Sequence, residues 1–574
     1  MTIRSHRKAL SFESLEHRTL LACDTLATAS VESADPLCAQ LSATSNLEKP
    51  RLIVLTDIGA SDPDDEQSMV RLLTYANEFS IEGLIAGSHL REGADETSEQ
   101  LIHNIVDQYE AVHPNFLLHD ADYPSADELR SVIAAGQPLP NFFSDRAETD
   151  GSRLIIDAVD SPDPRPVNIA IWGGSADLAQ ALWTVRETRS EAELQTFVSK
   201  IRVAWIEQDN AAPWIQSNFP DLWVVGNFVE TNSFVDAPFR GMYLGGDTTT
   251  TTASWVRENV NDHSPWGDLY PTVAAGAEMK EGDTPTWFYF LPTGLNDPSQ
   301  PDWGGWGGRY SADGPLHVPA KDNGLDGTNG RNTVNRWRNE FQNDFEARMD
   351  WSELSFADAN HNPVAVIDSP NRIDVTGGDT VDISAANSWD PDGDRLEFEW
   401  FQYVEVGSYK ELVPLVGANT SDVQFLVPTV IQPETIHMVL KVNDDGGPNL
   451  FSYQRVVVTI YPPNRADIDN DGLVGFSDFL VLSRNLGRTQ ATSQEGDLNG
   501  DQQVMFEDFL IYSMETQTPA PLEPEADPPT AFEEFLVISR NFGSTDATAD
   551  EGDRDGNGIV NFSDFLVFSR AADS

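Results

Sequence analysis

Five acids fall within ten residues of the stretch Leu55-Thr56-Asp57-Ile58-Gly59-Ala60-Ser61-Asp62-Pro63-Asp64-Asp65-Glu66. Carboxylates this close repel and raise one another's pKa unless a cation neutralises them, and their hard oxygens suit Ca²⁺ or Mg²⁺ rather than soft metals. The chemistry open to such a cluster is the holding of a divalent ion and a water. Ca²⁺ lowers the pKa of water only modestly, so a carboxylate base is needed beside it, and Asp57 and Asp64 are the acids placed to serve. A second reading of the same residues is a polar loop leading into a helix near Glu66, whose N-terminus Asp64 and Asp65 favour electrostatically.

The elements around the acids decide where such chemistry could sit. Leu52-Ile53-Val54-Leu55 is a short continuous apolar run, the pattern of a strand buried on both faces, and open α/β sheets bind ligands just beyond the carboxyl ends of such strands. Apolar runs then alternate with helical patterns through Met69–Ala76, Ile81–Ala86, Leu101–Tyr109, Val167–Trp172, Ala179–Val185 and Ile201–Ile206. The alternation predicts a doubly wound α/β domain over 49–355 with a mainly parallel sheet. From His361 the chain reads as short strands (Val364–Ile367, Ile373–Val375, Val381–Ile383, Leu396–Phe401, Val456–Ile460), an immunoglobulin-like β-sandwich over 356–463. Within it, Asp390-Pro391-Asp392-Gly393-Asp394 and Asn443-Asp444-Asp445-Gly446-Gly447 read as hairpin turns, with calcium binding as the other reading.

Composition narrows the function classes. In 574 residues, 93 acids against 36 bases give a formal charge of −57, which opposes binding to nucleic acid or an anionic membrane and favours cations. The only cysteines, Cys23 and Cys38, precede the first strand, so no disulfide framework or thiolate metal site is expected in the main body. No apolar run reaches the length of a membrane span. Residues 1–48 read as an export signature and linker: Phe12–Leu21 resembles the "LE-x-R-x-LL" signature of large exported bacterial proteins, which implies an extracellular or cell-surface location.

The last 110 or so residues carry an internal repeat, since Gly475–Gly487 recurs at 531–543 with shorter echoes at Phe506–Tyr512 and Phe562–Arg570. Each helix follows a loop with oxygen ligands at alternating positions, as convergence on one Ca²⁺ requires. The first loop offers Asp467, Asp469, Asp471, the Leu473 carbonyl and Asp478, and the second Asp497, Asn499, Asp501 and Asp508, with Gln502 in place of the turn glycine. The fourth offers Asp553, Asp555, Asn557, the Ile559 carbonyl and Asp564; the third (Glu523, Glu525, Asp527, Glu534) has Pro528 where glycine belongs and is expected to bind weakly or not at all. Asp at the last ligand position and the missing entering helix resemble dockerin domains. That resemblance implies two calcium-dependent pairs, 464–515 and 516–574, and a cohesin-like partner.

The acidic run also resembles the "D-x-G-x-D-D" signature of nucleoside hydrolases, here Asp57-Ile58-Gly59 followed after four residues by Asp64-Asp65, with Leu55 where that family keeps a further acid. The resemblance implies a calcium site of Asp57, Asp65, the Trp172 carbonyl from Ile169–Ala179, and Asp283 as the late carboxylate. It places His89, Gln208, Asp209 and Asn210 near substrate. Asp62-Pro63-Asp64-Asp65-Glu66-Gln67-Ser68, Trp303–Tyr310, Phe345–Trp351 and Ala359–Pro363 are similar to bacterial proteins described as cellulose-binding, with a nucleoside-hydrolase-like and an immunoglobulin-like domain. Trp303, Trp306 and Arg309 have two readings: sugar-stacking rings on a glycine-rich backbone, or core filling. The expected activity is a calcium-dependent hydrolase of ribosyl or related glycosyl bonds, using a calcium-held water and an Asp base. The alternative is a non-catalytic carbohydrate-binding protein.

Overall fold

The computed structural model describes residues 49–59, 63–87, 96–138, 147–206, 209–227, 235–272, 279–311, 314–463, 465–469, 474–515 and most of 537–568. The export signature and linker, the third calcium loop, His89, Gln208, Asp62, Asp471 and Leu473 lie outside the described residues.

The first domain is built on a seven-stranded parallel sheet. Its strands are β1 (Arg51–Thr56), β2 (Ser80–Ala86), β3 (Ile133–Ala135), β4 (Val167–Ile171), β5 (Ile201–Trp205), β6 (Trp223–Gly226) and β7 (Leu316–His317), in the order β3-β2-β1-β4-β5-β6-β7. The connecting helices are α1 (Asp64–Thr74), α2 (Glu96–His119), α3 (Ala126–Ser131), α4 (Asp150–Asp160), α5 (Ala176–Thr188), α6 (Glu191–Ser199) and α7 (Ala212–Asn218), followed by α8 (Thr284–Phe288) and α9 (Arg338–Asp350). The helix starts are written in the sequence: Ser125 with Glu128 and Ser190 with Glu193 form capping boxes. β1 shows why its apolar run is unbroken: Leu52 and Val54 join the core on one face of the sheet, while Ile53 and Leu55 join the core on the other.

Strand order reverses between β1 and β4. The chain leaves β1 toward β2 on one side and leaves β4 toward β5 on the other, which opens a crevice at the carboxyl ends of these two strands. Their register is tight there, with the Trp172 amide donating to the Leu55 carbonyl at 2.9 Å.

The second region is β-rich. Strands β8 (Arg372–Thr376), β10 (Glu397–Gln402), β12 (Glu434–Asn443) and β13 (Phe451–Tyr461) form a sheet in the order β8-β13-β12-β10, and β9 (Thr380–Ser384) pairs with β11 (Asp422–Leu426). Val381, Ile383, Val423 and Phe425 from the pair meet Trp400, Met438, Leu440 and Val456 from the sheet in one core. The segment Val364–Ile367, expected as a strand, makes only an isolated bridge from Val364 to Trp389, and the Val366 amide donates to the Ser388 hydroxyl at 3.0 Å instead of to a neighbouring strand. In the tail, α10 (Phe476–Asn485) and α11 (Phe506–Glu515) pack with Ile538, Val560 and Phe568 around a common core, so segments of both repeat pairs bury their apolar faces together. Among the described residues no helix is long and apolar enough to cross a membrane.

The α/β domain and the β-region are joined by buried charge. Asp322, fully buried, accepts from Arg309 Nε at 2.8 Å, Arg336 Nη1 at 2.9 Å and the Tyr403 hydroxyl just beyond β10. Arg455 on β13 donates to the Leu295 carbonyl at 2.7 Å and the Trp303 carbonyl at 2.9 Å. Removing one partner of a buried pair strands the others without solvation, at a cost of about 3–5 kcal/mol. Asp322→Ala is therefore expected to separate one cooperative calorimetric transition of the two regions into two, with the β-region melting first; a single unshifted transition would contradict this coupling.

Candidate active site

The acids converge at the crevice. Asp57 follows β1, Asp64 and Asp65 start α1, and Asp283 immediately precedes α8. Each of Asp64, Asp65 and Asp283 offers a carboxylate oxygen within 4.8 Å of the other two. Asp57 is buried beside them, and its charge is among the causes that raise both Asp65 and Asp283. It lies against the turn after β4 so closely that a Cβ on Gly173 would come within 2.1 Å of its Oδ1, so only glycine fits there.

Local chemistry fixes each side chain. Thr56, the last residue of β1, donates its hydroxyl to Asp65 Oδ1 while its own oxygen accepts from the Ile58 amide at 3.1 Å. Asp283 is held by its backbone: its carbonyl accepts from the Thr286 hydroxyl at 2.6 Å, and Thr286 in turn accepts from the Trp172 indole at 2.9 Å. Asp283 Oδ2 is buried with no hydrogen-bond partner. Lys280 Nζ stands 3.9 Å from Asp64 Oδ2, one ammonium against the acid group.

The segment that delivers Asp283 is clamped to α1. The Gln67 side-chain oxygen accepts from the Lys280 amide at 2.8 Å and the Glu281 amide at 3.1 Å, and the Thr284 hydroxyl meets the Ser68 hydroxyl at 3.1 Å. Arg71 and Glu281, both wholly buried, form an ion pair at 2.6 Å, and Tyr270 and Thr284 hydroxyls also donate to Glu281. Glu281 adopts φ +42°, a left-handed conformation that a non-glycine residue takes only when its surroundings impose it.

The electrostatics follow from burial. Burial, then the neighbouring Asp65, pushes Asp64 up to about 7. Burial and Asp57 hold Asp65 well above the carboxylate range, and burial with Asp64, Asp65 and Asp57 does the same to Asp283. Three hard, anionic oxygens with one of them orphaned in the interior are the donor set of a divalent oxygen-loving cation, so the residues fit such an ion.

Several expected site residues lie elsewhere in the chemistry. Asp209, expected near substrate, accepts from the Ser175 hydroxyl and the Ala211 and Ala212 amides through Oδ1 and from the Ser175 amide through Oδ2, which ties the turn after β4 to the start of α7. Asn210 is exposed beside it. Trp306 lies in the core, 3% exposed and edge-on to Phe288 at 5.4 Å, in line with the core-filling reading. The Trp303 ring faces the guanidinium groups of Arg372 and Arg455 at 5.1 and 5.3 Å, and Arg309 is engaged by Asp322, so both take part in the contact between regions. Trp172 sits at the crevice, pinned through its indole. Sequence reasoning missed Thr56, Gly173, Gln67, Arg71 and Glu281; the Gly173-Gly174 pair closing an apolar run was the one local signal of a close backbone approach.

In the tail, Asp467, Asp469 and Asp478 form one group of close carboxylates and Asp553, Asp555 and Asp564 another. Asp478 accepts from the Ile468, Asp469 and Gly475 amides, Asp508 from Leu498, Asn499 and Met505, and Asp564 from Arg554, Asp555 and Asn561, one pattern in all three loops. Asp497 binds the Gly500 and Gln502 amides through its two oxygens, and Gln502 takes φ +64° where the fourth loop has Gly558 at φ +80°. Asn557 Oδ1 accepts from the Ile559 amide at 2.8 Å, while Asn499 and Asp501 bond to amides within their own turn.

Comparison with known proteins adds relatives to this geometry. Residues 51–310 match the family model described as cellulose-binding Sde182, nucleoside hydrolase-like domain, and residues 380–460 match that of cellulose-binding protein Sde0182, C-terminal domain. A solved structure, described as a nucleoside hydrolase-related hypothetical protein from Saccharophagus degradans that is associated with carbohydrate metabolism, is 34% identical, with 72% of this chain and 100% of that chain aligned and a TM-score of 0.62. The solution structure of a PKD domain from the KIAA 1837 protein aligns over 16% of this chain and 85% of its own at 20% identity, with a TM-score of 0.13. No curated protein matches.

Two outcomes are expected of this site. Asp64 is raised from 3.8 to about 7, so the fold prefers its protonated form; its stabilising contribution is complete below the unfolded value and is lost as pH rises through the folded one. In chelator, urea stability should therefore fall between about pH 4 and pH 8, and Ca²⁺ should restore it, with both effects reduced in Asp64→Asn and Asp283→Asn; a slope unchanged by these substitutions would refute the account. Arg71→Met leaves Glu281 buried and unpaired, and should cost about 3–5 kcal/mol in urea unfolding and weaken cation binding at Asp283.

Proposed function

The chain belongs to the cellulose-binding Sde182 family, and from that membership and the acids at its strand ends we propose that the first domain is a calcium-dependent hydrolase of N-glycosyl or related glycosyl bonds. The observation that carries the reading is the convergence of Asp64, Asp65 and Asp283 within 4.8 Å at the strand-order reversal, with a buried Asp283 oxygen that no protein donor meets. Asp64, Asp65 and Asp283 would hold the ion, with Asp57 alongside. When bound, calcium supplies a positive charge that orders sugar hydroxyls and water. Hydrolysis adds a water oxygen to the anomeric carbon, breaks the bond to the leaving group and sends the water proton to a carboxylate. Asp57 and Asp64 are the carboxylates on which that proton falls, and the Trp172-Gly173 turn keeps Asp57 facing the crevice.

A second reading is a non-catalytic binder of cellulose-like carbohydrate. It is favoured by Leu55, a wholly buried core residue where nucleoside hydrolases keep an acid, and by the family description. In either reading the β-region is an immunoglobulin-like accessory domain, supported by its two sheets on one core, and the tail is a pair of dockerin-like units whose loops bind Ca²⁺ and whose partner is cohesin-like. A cellulose-directed protein works outside the cell, which accords with the signature at Phe12–Leu21.

The two readings separate in one experiment on the full chain. With Ca²⁺, release of free sugar from nucleosides or cello-oligosaccharides is expected, falling at least about a hundredfold in Asp57→Asn and in chelator. Turnover that survives Asp57→Asn would reject the mechanism, and saturable binding of cello-oligosaccharide without turnover would establish the binder instead.

A further inference from the structure

A second group of buried oxygens lies where loops of the β-region meet the segment that leads into it, on elements that contribute nothing to the crevice acids. Asp390 follows Trp389 at the start of the turn Asp390–Asp394. Its Oδ1 accepts from the Asp392 amide at 2.8 Å and the Asp394 amide at 3.0 Å, while Oδ2 is buried with no partner. Asp444, in the loop between β12 and β13, is 0% exposed. Its Oδ1 accepts from the Gly446 amide at 3.1 Å, the Leu450 amide at 3.0 Å and the Asn360 amide nitrogen at 3.2 Å, and its Oδ2 is likewise buried and unpartnered.

Asn360 belongs to the segment that leads from α9 into the β-region. Its Nδ2 serves Asp444 and the Pro448 carbonyl, at 3.2 and 2.7 Å, and its Oδ1 is a third buried oxygen without a donor. The fit is close on every side: a Cβ on Gly446 would come within 2.4 Å of the Asn360 amide. The Asn360 carbonyl is held by the Trp351 indole at 2.8 Å, and the next residue, His361, donates its amide to Asp392 at 2.8 Å. Buried acceptors left without donors are uncommon, and these three lie on segments tied to one another by the Asn360–Asp444 and His361–Asp392 hydrogen bonds. The nearest arginine of this turn does not meet them, because Arg395 reaches Asp445 and Glu397. The Asp390 charge contributes to raising Asp392, Asp394 and Asp444, which places these acids in one another's field.

We propose that Asp390, Asp444 and the Asn360 side-chain oxygen form a divalent-cation site of the calcium class that fixes the inter-domain segment to the loops of the β-region. Two carboxylates and an amide oxygen are hard donors, and a flexible coordination sphere completed by water suits Ca²⁺ better than the strict octahedron of Mg²⁺. The ion here has a structural task. It joins Asn360, ten residues beyond α9, to both loops, so the orientation of the two regions becomes calcium-dependent, independently of any reaction in the crevice.

The test uses the full chain. Hydrogen exchange with and without Ca²⁺ should show at least about tenfold slower exchange in 358–362, 389–394 and 443–450 when the ion is present. The double variant Asp390→Asn, Asp444→Asn should lose that slowing and bind one calcium fewer per chain by equilibrium dialysis, while Asp283→Asn and Asp478→Asn should keep the slowing in these segments. Exchange in wild type that does not respond to Ca²⁺ would overturn the proposal whether or not the double variant folds, and so would a double variant that binds as many ions as the wild type.

Discussion

The crevice depends on one ion pair buried beneath it. Arg71 stands in the last turn of α1 with no access to water, and a guanidinium there must be met by an anion or destabilise the domain. Glu281 meets it, and the Phe345 ring lies 3.9 Å from the guanidinium carbon on the other side. To reach Arg71, Glu281 takes a left-handed backbone conformation, and that turn brings Asp283, two residues later, beside Asp64 and Asp65. The acid cluster repels itself in the absence of a cation, so it cannot assemble through its own interactions. It is held by a clamp whose favourable contacts, from Gln67, Ser68 and Arg71, all lie one or two turns along the same helix.

Much of this was legible from residues alone. The unbroken apolar run of β1 announced burial on both faces, and the acids just after it announced the carboxyl end of a strand. Asp283 was recognisable as a late carboxylate only through the resemblance to nucleoside hydrolases, and the residues found beside it are Asp64 and Asp65, which the sequence places together. What could not be read is instructive in physical terms. Arg71 and Glu281 are separated by some 210 residues and neither has a local pattern that declares its partner. Asp209 and Trp306 were ambiguous for another reason: a carboxylate at a strand end and a tryptophan among glycines have the same appearance whether they face ligand or structure. Their hydrogen bonds and packing belong to the fold and have no local pattern.

The tail shows a carboxylate serving local structure before it serves a ligand. Asp478, Asp508 and Asp564 each gather two amides from the loop and one from the residue at the helix start, so the same side chain closes the loop and begins the helix. This explains why the repeat preserves an acid at that position even in the second loop, where glycine at the turn has been lost. Gln502 tolerates positive φ there because Asp497 accepts its amide. The loop is therefore shaped largely by its own acids, and the shared core of Phe479, Phe509, Ile538 and Phe568 binds the repeats to one another.

Among the described residues some buried acids, such as Asp177 and Asp209, are met by amides and hydroxyls, and two further groups argue for what the charge is for. Asp322, Asp344 and Glu281 are out of water and each is matched by arginine: Asp322 by Arg309 and Arg336, Asp344 by Arg348, Glu281 by Arg71. With only 36 basic residues in 574, arginine is nevertheless supplied at these three buried acids. Asp283, Asp390 and Asp444 are different, since each keeps a buried oxygen that no donor meets. A permanent arginine at these points would satisfy the carboxylates and close the sites. Leaving them unmet costs stability in the absence of an ion, and a cation bound there would recover that energy as affinity.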